Sequence, residues 1–100
     1  LQLTKRVEEL HGKLIFLTAR NKEHHAYTRD NFTSIGLNYD DYEVHYTNNK
    51  ISKGEYIYKY IQTHNHDSII FIDDRIDYIN SVLDYTPYVD CYMFYISNNE

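Results

Sequence analysis

Asp73 and Asp74 stand side by side where the apolar run Ile69-Ile70-Phe71-Ile72 stops. Two carboxylates about 4 Å apart near a protein surface repel by roughly 4 kcal/mol at an effective dielectric near 20. A bound divalent cation, a shared proton or divergence into water must offset that. Successive strand side chains point to opposite faces, so the two groups converge only if the strand has ended and the chain turns. In open α/β sheets, ligands bind beyond the carboxyl ends of the strands. Thr18 has a comparable place, directly after Leu14-Ile15-Phe16-Leu17 and before Ala19-Arg20. A hydroxyl there, with the free amides of a following helix, suits an anionic oxygen. A turn or cap residue is the plain alternative. Lys53 lies in Ser52-Lys53-Gly54-Glu55, a capping-box pattern that puts it in the first turn of a helix. A cation there opposes the helix dipole by a few tenths of a kcal/mol, and a solvated surface Lys is the plain alternative. For the acidic pair, the plain alternative makes Asp74 the N-cap of a helix beginning near Arg75, with Asp77 in its first turn, and leaves Asp73 unexplained.

The elements that must position these residues follow from apolar spacing. Leu3, Val7 and Leu10 share a helical face, and Gly12 is the expected terminator. Leu14 to Leu17 form a buried strand. Lys22 to Ile35 form a helix with Thr28, Phe32 and Ile35 inward and Gly36 at its end. A short strand over Tyr42 to Tyr46 and a polar loop over Thr47 to Ile51 come next. The capped helix turns Tyr56, Ile57, Tyr60 and Ile61 to one face. Ile69 to Ile72, with four apolar residues in a row, predicts a strand buried on both faces. Ile76, Ile79, Val82 and Leu83 mark another helix, and Val89 to Ile96 a last strand after Pro87. This alternation predicts an α/β fold with a mainly parallel sheet.

One hundred residues suit one small domain. The net charge of −5 and the lack of any Lys/Arg concentration argue against a nucleic-acid partner or an anionic membrane surface. The apolar runs are too short to cross a bilayer. The compartment is not indicated. A single cysteine, Cys91, excludes an internal disulfide framework, and its apolar surroundings predict a packed thiol. His64-x-His66 has metal-like spacing but lies in a polar loop with no identifiable third ligand. His24-His25 are expected to be solvated.

Taken in order, a strand ending in Thr, a Lys opening a helix and a strand ending in Asp-Asp resemble the haloacid-dehalogenase (HAD) superfamily. Phe16-Leu17-Thr18-Ala19-Arg20 looks like its second motif, Lys53 in Ser52-Lys53-Gly54 its third, and Phe71-Ile72-Asp73-Asp74 with Asn80-Ser81-Val82 its fourth. Leu17-Thr18-Ala19-Arg20, the Thr28 to Leu37 segment, Lys53-Gly54 and Ile72-Asp73-Asp74 are similar to a group of HAD-like bacterial proteins of unknown function. The resemblance implies a three-layer α/β/α core and hydrolysis of a phosphate ester through an aspartyl phosphate. It implies Thr18 and Lys53 as catalytic residues, with Thr18, Ala19 and Lys53 binding the phosphoryl group, and Asp73 and Asp74 holding Mg²⁺ directly or through water. The partner would be a phosphorylated small molecule or phosphoprotein.

The superfamily's first motif, Asp-x-Asp-x-Thr on a central strand, is absent from these residues. Residues 1–100 are therefore expected to form the carboxyl-terminal portion of a single HAD-like domain, lacking its central strand and inactive alone. A non-catalytic remnant serving as a binding module is the alternative. A receiver-type phosphoacceptor domain has the wrong order, because there the acidic pair precedes the Thr and the Lys.

Overall fold

The computed structural model describes residues 2–65 and 68–93. The chain folds as two compact units, Leu1–Asn48 and Asn49–Glu100. Strands and helices alternate as predicted, and every strand pairing is parallel. The strands form two separate two-stranded sheets. No helix among the described residues is long and apolar enough to cross a membrane.

The first unit holds α1 (Gln2–Glu9), β1 (Ile15–Thr18), α2 (His25–Ser34) and β2 (Glu43–Tyr46). Short 3-10 turns over Lys22–His24 and Tyr39–Asp41 flank α2. Ile15 lies opposite Glu43 and Thr18 opposite Tyr46. Helix α2 ends as expected at Gly36, whose φ of +82° lies in the left-handed region that glycine enters without steric cost. The Gly36 amide donates to the Thr33 carbonyl and the Leu37 amide to the Phe32 carbonyl, the paired closure of a Schellman motif. Helix α1 closes in the same way, but its left-handed residue is His11 (φ +55°), not Gly12. The Gly12 amide instead makes the longer-range bond, 2.8 Å to the Val7 carbonyl. Leu10, expected on the inner face, is exposed.

Phe32, Leu37, Tyr46 and Thr28 are buried in this unit. Phe16 meets Phe32 edge-on at 4.7 Å, and Phe32 meets Tyr39 at 5.4 Å. Such pairs add about 0.5–1.5 kcal/mol beyond area burial. Ile35 departs from the predicted inner face and is 61% exposed. It is the C-cap of α2, where φ −107° and ψ 13° leave the helical conformation, so the 3.6-residue period no longer sets its direction.

The second unit holds α3 (Lys53–Thr63), β3 (Ile70–Asp73), α4 (Ile76–Tyr85) and β4 (Asp90–Met93). Ile70 pairs with Asp90 and Asp73 with Met93. The predicted strand Val89 to Ile96 is seen over Asp90–Met93, and residues 94–96 lie outside the described residues. Helix α4 packs against α3 and against both strands. Only one face of β3 is covered: Ile70 and Ile72 are 60% and 42% exposed, while Phe71 is half-buried and Asp73 buried. The expectation of burial on both faces is corrected accordingly. Along α4 the covered stripe is narrow. Ile79 and Val82 are buried, whereas Ile76 and Leu83, also expected inward, are exposed. The helix stops at Thr86, whose amide and hydroxyl both donate to the Val82 carbonyl at 2.7 Å, just before Pro87 bars continuation.

Candidate functional site: a buried lysine–aspartate pair at the carboxyl end of β3

Helix α3 begins where its capping box places it. Ser52 is the N-cap, and its hydroxyl accepts from the Glu55 amide at 3.1 Å. The Glu55 carboxylate turns instead to Lys59, 3.1 Å away. Lys53 is therefore the first helical residue, and it is not a solvated surface lysine. Its Nζ lies 2.9 Å from Asp73 Oδ2, with both side chains only 9% exposed.

The second oxygen of Asp73 is also engaged, because Oδ1 accepts the Arg75 amide at 3.0 Å. This bond turns the chain out of β3 and into α4. The N-cap of α4 is Arg75, without a side-chain cap, so the plain alternative with Asp74 capping the helix is not what forms. Asp74 is exposed, and no hydrogen bond or ion pair to it is found among the described residues. The neighbours diverge where β3 ends: Asp73, its last residue, is buried against Lys53 of α3, and Asp74, in the bend just beyond, is exposed. The repulsion that adjacency suggested is relieved by divergence and by Lys53.

Tyr78 and Ser81 complete the surroundings, and sequence reasoning gave neither a role of its own. The Tyr78 ring lies 4.1 Å from Lys53 Nζ and 4.3 Å from Arg75 Cζ, both cation–π distances. Arg75 also donates to both oxygens of Asp77 and to the Tyr78 hydroxyl. The Asp77 carboxyl is held below its ordinary range chiefly by that hydrogen bonding. Ser81 Oγ accepts the Gly54 amide at 3.0 Å. A Cβ on Gly54 would lie 2.0 Å from the Ser81 carbonyl oxygen, so α3 and α4 cross here at a separation only glycine permits. Spacing could have suggested Tyr78, one turn into the helix that follows the acidic pair. The Gly54–Ser81 crossing joins residues 27 apart and leaves no local signal.

These contacts fix the chemistry available. The second and third amides of α3 are already capped by Ser81 and Ser52, so an anion would meet the Lys53 ammonium rather than a bare helix end. Mg²⁺ takes one or two carboxylates together with water and phosphate oxygens. Asp74 fits that demand with open oxygens. Asp73 is committed to Lys53 and to the Arg75 amide.

In the first unit, Thr18 ends β1 as predicted. Its Oγ1 accepts the Arg20 amide at 3.3 Å, and its carbonyl accepts the Thr47 amide at 2.9 Å. The turn role is the one this geometry displays. The Ala19 carbonyl accepts from the Thr47 hydroxyl at 3.5 Å. The helical segment begins at Lys22, whose amide is taken by Asn48 Oδ1 at 2.8 Å. The structure thus brings Lys53 and Asp73 into contact, turns the adjacent Asp74 outward, and places Thr18 and Ala19 in the other unit.

The weaker candidates are also placed. His24 and His25 are exposed, as expected. His64 stacks on Tyr60 at 3.9 Å, and His66 lies outside the described residues. Cys91 is half-buried on β4, where burial pushes its thiol pKa up, in keeping with a packed, protonated sulfur. Among the described residues no three His, Cys, Asp or Glu gather into a metal cluster. Compared with protein-family models, with curated proteins and with solved structures, the chain matches none of them.

Proposed function

We propose that these residues belong to a Mg²⁺-dependent HAD-like phosphohydrolase whose nucleophilic aspartate lies on a strand outside residues 1–100. The observation that carries this reading is the buried Lys53–Asp73 pair at the carboxyl end of a parallel strand. Burying an ion pair is expensive, and a well-packed apolar pair of similar volume is often as stable or more so. Placing the lysine at the first position of a helix adds an unfavourable dipole interaction. Stability alone does not account for this choice of residues. A site that must present a fixed positive charge to a phosphoryl group does.

In this reading Lys53 neutralises charge on the nucleophile and the transferred group, and the Asp73-Asp74 segment is where the cation would be held, directly or through water. When bound, Mg²⁺ would supply positive charge beside the phosphoryl oxygens. Thr18 would hydrogen-bond a phosphoryl oxygen, with Ala19 beside it. Phosphoryl transfer is helped mainly by positioning and charge stabilisation, which is what preset groups of this kind provide. The four described strands leave β1 and β3 each paired on one side only, and the reading requires a further strand carrying Asp-x-Asp. The substrate would be a phosphorylated small molecule or phosphoprotein. The test is phosphate release by the product of the whole reading frame. Release that needs Mg²⁺ and is lost in Asp73→Ala is the expected result. Metal-independent release untouched by that change refutes the reading.

A second reading, a non-catalytic binding module, is favoured by one observation: the Thr18 hydroxyl is already used within its own turn. It predicts no change in thermal melting on adding Mg²⁺. A cation at 100 times its Kd would instead stabilise by about 2.7 kcal/mol.

A further inference from the structure

We infer that Asn48 is the positioning residue of the turn after β1: it holds Lys22, 26 residues away in the chain, and through Arg20 it aims the Thr18 hydroxyl. The aim of that hydroxyl matters under the phosphohydrolase reading and rests on it. The hold on the turn stands on geometry alone.

The backbone of Asn48 has φ +60°, in the left-handed region, and Asn49 follows at +55°. Glycine meets that conformation at no steric cost, and asparagine tolerates it better than most residues. Conformation alone would therefore favour glycine at both positions. The side chain of Asn48 has a use that glycine lacks, because its Oδ1 accepts the Lys22 amide at 2.8 Å. No hydrogen bond from the Asn49 side chain is found among the described residues. Two neighbours with the same backbone thus differ in what their side chains do.

Lys22 opens the helical turn Lys22–His24, and Asn21 stands at its N-cap. Asparagine in that position ordinarily caps with its own side chain. Asn21 makes no such bond, and Asn48 supplies an acceptor instead. The Asn48 amide also donates to the Arg20 carbonyl at 3.2 Å. One residue therefore grips the chain on both sides of Asn21. Buried Thr47 extends the grip: its amide donates to the Thr18 carbonyl at 2.9 Å, and its hydroxyl to the Ala19 carbonyl at 3.5 Å. Three successive carbonyls, those of Thr18, Ala19 and Arg20, accept from Thr47 and Asn48.

Arg20 carries the effect to Thr18. Its carbonyl is held by Asn48, and its amide donates to Thr18 Oγ1 at 3.3 Å. A hydroxyl that accepts one bond keeps its own proton to donate. The contact orients the Thr18 hydroxyl without consuming its donor, and a phosphoryl oxygen is an acceptor for that donor.

Two measurements on the product of the whole reading frame separate the halves. The first is amide hydrogen exchange at Lys22. Asn48→Gly keeps the left-handed turn and removes the acceptor, so it should speed exchange at least tenfold. Asn48→Asp keeps an acceptor and should stay within threefold of the native rate, as should Asn49→Gly. Unchanged exchange in Asn48→Gly, or equal acceleration in Asn49→Gly, overturns the hold on the turn. If Asn48→Gly does not fold, the native protein decides. A scalar coupling across the hydrogen bond, from the Lys22 amide nitrogen to the Asn48 carboxamide carbon, is expected, and its absence overturns the hold.

The second is hydrolysis of p-nitrophenyl phosphate with Mg²⁺, well below the melting temperature of every variant. Asn48→Gly should lower kcat at least tenfold and Asn49→Gly less than twofold. Thr18→Val should also lower kcat, and adding Asn48→Gly to it should cost nothing more, because residues that act as one unit are not additive. Losses that multiply overturn the claim that Asn48 acts through Thr18. A residue that merely stabilised the fold would not produce this pattern. A native protein that releases no phosphate counts against the phosphohydrolase reading and takes the Thr18 half with it. Slow exchange at Lys22 would survive that failure, so the two conclusions fall separately.

Discussion

The two units repeat one plan, a strand, a helix and a parallel partner strand, and they place charge in opposite ways. In the first unit the interior is aromatic, built on Phe16, Phe32 and Tyr39. Its best-formed ion pair, Arg29 to Asp40 with two 3.0 Å contacts, lies at the surface. The Arg29 guanidinium holds the Asp40 carboxyl below its ordinary range there, with both side chains exposed to solvent. In the second unit a lysine and an aspartate occupy the interior at the end of β3, where an apolar pair would serve packing as well. Surface pairs contribute little, and buried ones cost desolvation. The contrast sets the second unit apart, because its buried pair is costlier to hold than the surface pair of the first.

The sharpest way to break this comparison is to remove one member of the buried pair. Lys53→Met or Asp73→Leu alone should each destabilise by about 3–5 kcal/mol in urea denaturation, because the remaining charge is left buried and unpaired. The double substitution should recover most of that loss. If each single change costs no more than a surface substitution, the second unit treats its charges as the first does, and the contrast fails.

Next in size are the glycines. Gly54→Ala drives a methyl group into the Ser81 backbone and should cost about 1–3 kcal/mol, the usual range for overpacking. Gly36→Ala meets open space and is strained only by its positive φ, a penalty of about 1–2 kcal/mol. A thermal melt of each variant compares tight packing in one unit with backbone conformation in the other.

The smallest effect is alkaline. The hydrogen bond between the Tyr39 and Tyr46 hydroxyls, with burial second, pushes the Tyr39 phenol up from 10.0 to about 12. A group protonated more readily when folded lends stability below its unfolded pKa. That stability is lost as pH rises from 10 through 12. Tyr46→Phe should move the Tyr39 absorbance titration back toward 10, and an unmoved titration would remove the bond from the account of this unit.

Much of this arrangement is legible in the chain. The Ser52 cap is set by local chemistry, since a hydroxyl three residues before a free amide has one natural partner. Gly36 is legible for the same kind of reason. What escapes is whatever depends on which faces end up covered. Ile69 to Ile72 has the composition of a strand buried on both sides, yet Ile70 and Ile72 are exposed, because α4 covers only one side of β3. The buried setting that Lys53 takes depends on a partner 20 residues away. Position within the capping box revealed that the lysine was oddly placed but not that Asp73 would neutralise it. The contact of Ser81 with the Gly54 amide escaped because it arises only where α3 crosses α4.

The uncovered side of β3 has a practical consequence. Ile69 to Ile72 is apolar, rich in β-branching and free of proline, which is the composition of segments that stack into cross-β fibrils. The run is halted by two carboxylates, whose charge disfavours like segments stacking in register. Acidifying the solution, or neutralising Asp73 and Asp74 together, removes that guard and should favour self-association through this edge.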